Sequence, residues 1–267
     1  MIYYRISDQS YPKVKLPGAT KQVCFNNFKY SIGKHPYEVI FDNCKKETVE
    51  SLVNQGINRF HETQLGNAGS FRFAMDLAKV EHRPEYEAIY FVEDDYLHLP
   101  TATIELIEEG LEIADYVTLY DHPDKYSKDY DFGEVSKVMR TKSSYWRHTI
   151  STCMTFATTV RKLVEDEDIW TKYLGGQHPH DHLIFTELHQ KGRKLAVSIP
   201  GHACHCDPTW GGMEAIEDWA VDMMWNEYSK DAISNPQFFN YIKLIFEMNT
   251  SKVDKLKMMI GLLHGQN

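Results

Sequence analysis

Three consecutive carboxylates, Glu93, Asp94 and Asp95, follow directly on the apolar run Ala88-Ile89-Tyr90-Phe91-Val92. Adjacent like charges repel, so a fold that keeps them together needs compensating positive charge. Mg2+ or Mn2+ suits such oxygen ligands, and either ion also suits phosphate oxygens. A solvated acidic turn is the plainer alternative. The strand in front weighs against it, because ligands in open α/β sheets gather beyond the carboxyl ends of strands. A second segment, Gly175-Gly176-Gln177-His178-Pro179-His180-Asp181-His182, leads from a flexible glycine pair into Asp181 at the start of a helical pattern. A carboxylate in that place is either a helix cap or a general base. A third, Gly201-His202-Ala203-Cys204-His205-Cys206-Asp207, offers imidazole and thiol ligands.

The elements that would position these groups alternate along the first half. Strand candidates are residues 2–6, 38–41, 59–62, 88–92 and 116–120. Between them, Phe71, Ala74, Met75 and Ala78 keep helical spacing, as do Ile104, Ile107, Leu111 and Ala114. Pro100 stands where a helix would begin. Strands alternating with helices predict an α/β fold with a mostly parallel central sheet and flanking helices. Residues 121–131 are polar and turn-rich, a loop. Residues 134–140 and 146–151 read as strands that could form an antiparallel pair. Residues 181–191 read as a helix closed by Gly192, and 194–199 as a further strand.

From about Ile216 the pattern is helical, with breaks near Asn235 and Thr250. The expected division is therefore a catalytic domain over residues 1–215 and a helical C-terminal extension over 216–267. In the extension Phe238, Phe239, Tyr241, Ile242 and Leu244 to Phe246, then Val253, Leu256, Ile260 and Leu263, form an apolar stripe. Such a stripe covers the domain's own core or a homodimer contact. A peripheral membrane contact, helped by Lys252, Lys255 and Lys257, is the secondary reading.

The chain has 267 residues, 42% hydrophobic and 25% charged, with a formal net charge of -9. That length buries a sizeable core. The charge excludes broad attraction to nucleic acid, yet a cleft with its own Arg, Lys and metal can still hold a phosphate-bearing small molecule. Five cysteines without regular spacing do not make a disulfide framework. The start MIYYRISDQS lacks a basic segment before an apolar run, and no stretch has the length of a membrane span. A reducing, cytoplasmic setting is expected.

Phe91-Val92-Glu93-Asp94-Asp95 resembles the metal-binding Asp-x-Asp motif of GT-A fold glycosyltransferases, most of all the inverting family 2-type enzymes, with Glu93 in the first place. Other pieces fall in the order which that Rossmann-like fold expects, over residues 1 to 210. Tyr4-Arg5-Ile6-Ser7-Asp8 is similar to the first strand and loop of the nucleotide pocket. Phe41-Asp42-Asn43 resembles the second strand end, whose acid or amide reads the base. Gly66-Asn67-Ala68-Gly69, leading through Arg72 into a helix, resembles the turn packed on the nucleotide. The resemblance implies a nucleotide-sugar donor, more readily UDP than GDP, and an acceptor hydroxyl on a glycan or other molecule. It implies Mn2+ or Mg2+ on Asp95, with Glu93 or Asp94 at the ribose or behind the metal. It implies Asp181 as general base, where His180 replaces the Glu of the usual Glu-Asp. His205, or else His202, would complete the metal shell. Trp210, Gly211 and Gly212 would form a loop over the donor, and Tyr145, Trp146 and Tyr173 could stack on an acceptor. Each piece has a plainer alternative: Asp42 and Asn43 in an Asx turn, Asn67 and Gly69 as a helix start, Arg5 in a surface ion pair.

Two other activities use the same residue types. His178, His180, His182, His202, Cys204, His205 and Cys206 suit zinc, as in a hydrolase or a structural site. However, the first three lack the intervening residue of a His-x-His-x-Asp-His pattern, and Cys204-His205-Cys206 is tighter than a Cys-x-x-Cys knuckle. A nucleotidyltransferase shares the sheet and the metal, though no Gly-rich loop with a basic residue stands near the N-terminus. A non-enzymatic interaction module is the third class.

Overall fold

Every residue of the first strand, β1 (Ile2–Ser7), is buried, so both of its faces are covered. Its side chains alternate between two cores. Ile2, Tyr4 and Ile6 meet Phe25, Phe28 and Ile32 of α1 (Lys21–Ile32), together with α2 (Lys46–Val53) and α4 (Thr103–Leu111). Tyr3 meets Phe71, Ala74 and Met75 of α3 (Gly66–Val80) in a second core. Fully burying side chains of this size contributes about 1.5–3 kcal/mol each, which is why a doubly covered central strand reads as nearly continuous apolar sequence. The computed structural model describes residues 1–9, 14–80, 83–100, 102–126, 136–208, 216–235 and 238–265.

Among the described residues nine strands form the main sheet, in the order β3-β2-β1-β4-β9-β6-β10-β8-β7. These are β2 (Tyr37–Asp42), β3 (Phe60–Thr63), β4 (Ala88–Glu93), β6 (Tyr116–Thr118), β7 (Val138–Arg140), β8 (Tyr145–Thr149), β9 (Phe156–Thr159) and β10 (Leu195–Ile199). The pairings make every strand except β8 and β9 run in one direction. With helices on both faces this is a mixed, mostly parallel α/β sheet. The architecture is Rossmann-like, of the GT-A kind. β1 has β2 on one side and β4 on the other, so the chain reverses its order of winding there and opens a crevice at their carboxyl ends.

β9 was not among the sequence-derived strands. It enters antiparallel between β4 and β6, Phe91 facing Phe156 and Val117 facing Ala157. Its four residues are too few to show a period, and Thr159 at its end already caps α5 (Val160–Glu165). α6 (Glu167–Tyr173) and α7 (Asp181–Gln190) then pack Trp170 and Phe185 against Phe156. Between the acidic triplet and α4 lies a short strand that the sequence did not show, β5 (Tyr96–His98). β5 pairs with β11 (Ala203–His205) in a two-stranded antiparallel ribbon.

The C-terminal helices are α8 (Asp218–Ser234), α9 (Phe239–Glu247) and α10 (Lys252–Leu263). They close a third core around that ribbon, in which Ala220, Val221, Met224, Leu256 and Met259 meet Leu97, Cys204 and Cys206. The apolar stripe divides, with Ile242, Ile245 and Leu256 buried and Tyr241 and Leu244 exposed. Gly18 is required where the loop before α1 meets α8. Its φ is +87°, and a Cβ there would stand 2.3 Å from Tyr228 Cε2. Among the described residues no helix is long and apolar enough to cross a membrane, and the five cysteines are free. Trp210, Gly211 and Gly212, Glu134 and Val135 of the 134–140 strand candidate, residues 127–131 of the predicted loop and the Phe239 side chain lie outside what is described.

Candidate active site

The carboxyl ends of β1 and β4 meet. The Ser7 backbone N–H donates to Asp94 Oδ2 at 3.1 Å, fixing one acid of the triplet against the first strand. Arg5, on the same strand, lies 3.8 Å from the Glu93 carboxylate and donates through Nε to Ser70 Oγ at 2.6 Å. Asp94 and Asp95 are 9% and 4% exposed, so neither is part of a solvated turn. Burial first, and the Asp95 charge further, push the Asp94 carboxyl above the ordinary aspartate range, with Lys15, Lys21 and the Ser7 N–H pulling the other way. Two lysines from the β1–α1 segment supply that pull. Lys15 Nζ stands 4.0 Å from Asp94 Oδ1 and 3.7 Å from Asp95 Oδ2, and Lys21 Nζ is 3.7 Å from Asp94 Oδ2 and 3.3 Å from Asp8. The crowded anions are therefore met in part by the chain's own amines.

The β5–β11 ribbon delivers the histidine. Its register sets His205 opposite Tyr96, the residue after Asp95, and Cys206 N–H donates to the Asp95 carbonyl at 2.8 Å. The His205 ring stacks on Tyr96, centroids 4.7 Å apart and planes 7° apart. This stacking aims Nε2 at Asp95 Oδ2, 3.4 Å away. Nε2 is buried, and among the described residues it has no partner other than the Asp95 carboxylate at 3.4 Å. Burial works against its charge, but the Asp95 carboxylate and the Cys153 thiol outweigh it and hold the imidazole well above its usual pKa.

This pair fits a hard divalent ion. Carboxylate oxygen and imidazole nitrogen are suitable ligands, and neighbouring ligands on an octahedral ion of ~2.1 Å radius of coordination stand roughly 3 Å apart. Among the described residues no group of three or more His, Cys, Asp or Glu side chains could hold a metal by itself. His178, His180 and His182 are exposed, while Cys204 and Cys206 are buried with Cys24 in the third core, so the zinc ligands envisaged from sequence do not converge. His202 lies at the other end of the ribbon from Asp95, its carbonyl accepting from Leu99 N–H and its own N–H donating to Leu119 O.

Asp181 opens α7. The loop before it is tied to the start of α3 by the Ala68 N–H to Gln177 O bond at 3.3 Å, and the cap position belongs to His180. The Asp181 carboxylate is thus the first helical residue rather than the cap. Burial pushes its pKa up, offset in part by the His182 backbone N–H and by His182, His205 and His122. It accepts from His182 N at 2.7 Å. It lies close enough to His205 and His122 to feel their charge.

The other expected nucleotide contacts are distributed. Asn67 keeps a buried Oδ1 with no hydrogen-bond partner at the start of α3. A Cβ on Gly69 would stand 2.9 Å from Leu65 Cβ, so glycine there serves close packing. Asp42, expected to read a base, is fully buried and turned into the protein. It accepts from Thr63 Oγ1 at 2.9 Å, Leu65 N at 2.8 Å and Asn43 Nδ2 at 3.1 Å, stitching β2 to the β3–α3 turn. Asn43 follows with a left-handed φ of 51°. Arg72 is likewise held by the fold, donating to Asp76, Thr171 and Glu167 across α3 and α6. Of the acceptor-stacking candidates, Trp146 is fully buried and Tyr145 exposed.

No protein-family model matches the chain, and no curated protein matches it. Among solved structures, a nucleoside-diphosphate-sugar pyrophosphorylase from Vibrio cholerae RC9 is similar at 12% identity and a TM-score of 0.46, over 77% of this chain and 95% of that one. A nucleotidyl transferase from Methanothermobacter is similar at 12% identity and a TM-score of 0.44, over 74% and 87%. Residues 1–349 of TarS from S. aureus, in complex with UDP, are similar at 13% identity and a TM-score of 0.44, over 98% and 70%. These are likenesses in outline. They carry no activity to this chain.

Sequence reasoning missed Lys15, Lys21, Tyr96 and Cys153. Lys15 and Lys21 had a signal. They flank Pro17, Gly18 and the capping Thr20 in the first strand-to-helix connection, and such connections face the carboxyl ends of the sheet.

Proposed function

We propose that this chain is a divalent-metal-dependent transferase that moves a sugar from a nucleoside diphosphate, UDP by preference, to an acceptor hydroxyl with inversion. The observation that carries the reading is the Asp95–His205 pair, set 3.4 Å apart at the crevice between β1 and β4. Asp95 Oδ2 and His205 Nε2 would hold Mn2+ or Mg2+, leaving the remaining positions to diphosphate oxygens and water. The bound ion supplies charge neutralisation for the departing diphosphate.

The chain's own groups do the rest. Arg5, Ser7 and Glu93 line the strand ends where the ribose would lie, and Asp94 is held by Ser7 so that it braces Asp95 from behind. Asp181 takes the proton of the acceptor hydroxyl as that oxygen bonds to the anomeric carbon. The bond from that carbon to the diphosphate oxygen breaks, and the diphosphate leaves with the electron pair. A carboxylate whose pKa burial has raised is the stronger base for this work. One displacement from the opposite face gives inversion.

The two lysines at the acidic end favour one second reading, a nucleotidyltransferase, in which amines bind the phosphates of a nucleoside triphosphate. Products separate the two. With Mn2+, UDP-sugars and hydroxyl acceptors, the transferase releases UDP. With UTP and sugar phosphates, the rival releases pyrophosphate. Pyrophosphate release without any UDP release would overturn the proposal. A thermal-shift panel of nucleotide sugars with and without Mn2+ selects the donor for the assay.

A further inference from the structure

The position of Lys15 is built into the site. The Leu16 N–H next to it donates to the carbonyl of Cys206 at 2.9 Å, and the Cys206 N–H donates to the carbonyl of Asp95 at 2.8 Å. Leu16 itself is buried beside Cys204, Cys206 and Leu97. One backbone chain therefore registers Lys15 against both Asp95 and the strand that carries His205. At its end the ammonium stands between the two acids, 4.0 Å from Asp94 and 3.7 Å from Asp95, with a side chain 24% exposed. Lys21 is held differently. It begins α1 and is shared between Asp94 and Asp8, and Asp8 is itself fixed by the Lys45 N–H at 2.8 Å.

We propose that Lys15 is a resident counter-ion of the Asp94–Asp95 pair, which gives up its place to the divalent cation and turns to the diphosphate, so that metal and donor bind well only together. The inference rests on the metal-dependent transferase reading and names the residue that couples its two ligands. Lys15 and Lys21 already oppose the charge of Asp94 and Asp95. A dication entering alone adds two positive charges beside Lys15, which is unfavourable at these distances. A diphosphate entering with it removes the excess and offers Lys15 new oxygens. A flexible lysine stem suits a group that must change partners, where a planar guanidinium fork would hold the acids fast. By linkage, each ligand then tightens the binding of the other by the same factor.

The test measures Mn2+ binding by electron paramagnetic resonance of the free ion, with and without UDP, in wild type, Lys15→Ala, Lys15→Gln and Lys15→Arg. In wild type, Mn2+ alone binds weakly and UDP tightens it. In Lys15→Ala and Lys15→Gln, Mn2+ alone binds about tenfold more tightly, and UDP at saturating Mn2+ binds about tenfold more weakly, so the mutual tightening disappears. In Lys15→Arg, whose fork holds the acids, UDP tightens Mn2+ less than in wild type. The opposite signs of the two changes exclude simple unfolding, which weakens both. If both neutral variants bind Mn2+ alone no more tightly while wild type still binds UDP only with Mn2+, Lys15 is not the counter-ion and the transferase reading stands. If wild type binds neither Mn2+ nor UDP, that reading fails and this proposal fails with it.

Discussion

Two buried acidic sites in this molecule are built in opposite ways. Asp166, fully buried between α5 and α6, is closed by short bonds. Arg193 donates through Nε at 2.8 Å and through Nη2 at 2.8 Å, Tyr116 OH donates at 2.7 Å, and Lys191 lies 2.9 Å away. Around Asp94 and Asp95, Lys15, Lys21 and His205 stand off at 3.4 to 4.0 Å. A guanidinium fork fits a carboxylate in a fixed geometry, so the first site locks its helices to the sheet. Lysine ammoniums and an imidazole can exchange partners, and the second site keeps its charge available. On the proposed reading, the contrast separates acids that hold the fold from acids that bind a ligand.

That contrast breaks or sharpens on substitution. Asp181→Asn should lower sugar transfer by ~10²–10⁴-fold while UDP affinity and the melting temperature stay at wild-type values, as measured by initial rates beside calorimetry. Transfer at the wild-type rate would return Asp181 to a purely structural part. Asp166→Asn should do the reverse, costing about 3 kcal/mol of stability because Arg193 and Lys191 lose their buried carboxylate partner, with turnover per folded molecule unchanged. Chemical denaturation and active-site titration check this. An Asp166→Asn protein that melts normally but transfers poorly would erase the distinction between the two sites.

The smallest effect concerns His98, in the ribbon strand behind Asp95. Burial alone brings its imidazole down from 6.5 to about 4, its Nε2 sharing a hydrogen bond of 2.7 Å with Tyr90 OH. The unfolded chain takes up this proton first as pH falls. The contribution is therefore complete above the ordinary histidine value and is lost as pH drops from 6.5 toward about 4. His98→Gln should flatten the stability profile across that window. An unchanged slope would show that His98 does not titrate differently in the two states.

Much of the local structure around the candidate site was legible in the sequence. An apolar strand ending in acids is a local signal, and β4 with Asp94 and Asp95 buried at its end follows it closely. Asp181 at the start of α7 and the C-terminal helices were legible for the same reason, since turn glycines and helical spacing are written within a few residues. What escaped is non-local. β5, β9 and β11 have three or four residues each, too short for a period, and exist because partners reach them across the fold. Asp42 and Arg72 look like ligand-binding groups in the chain, yet Thr63, Leu65 and Glu167 claim them first. The same non-locality hid Lys15, whose meaning depends on acids some eighty residues away in sequence.

The central claim, that Asp95 and His205 jointly hold a divalent ion against a nucleoside diphosphate, is tested most directly by calorimetric titration of UDP with and without Mn2+ into wild type and Asp95→Ala. Wild type should bind UDP only when Mn2+ is present, and Asp95→Ala should bind it in neither condition while melting no lower than wild type. Mn2+-supported UDP binding of equal strength in both proteins would contradict the account.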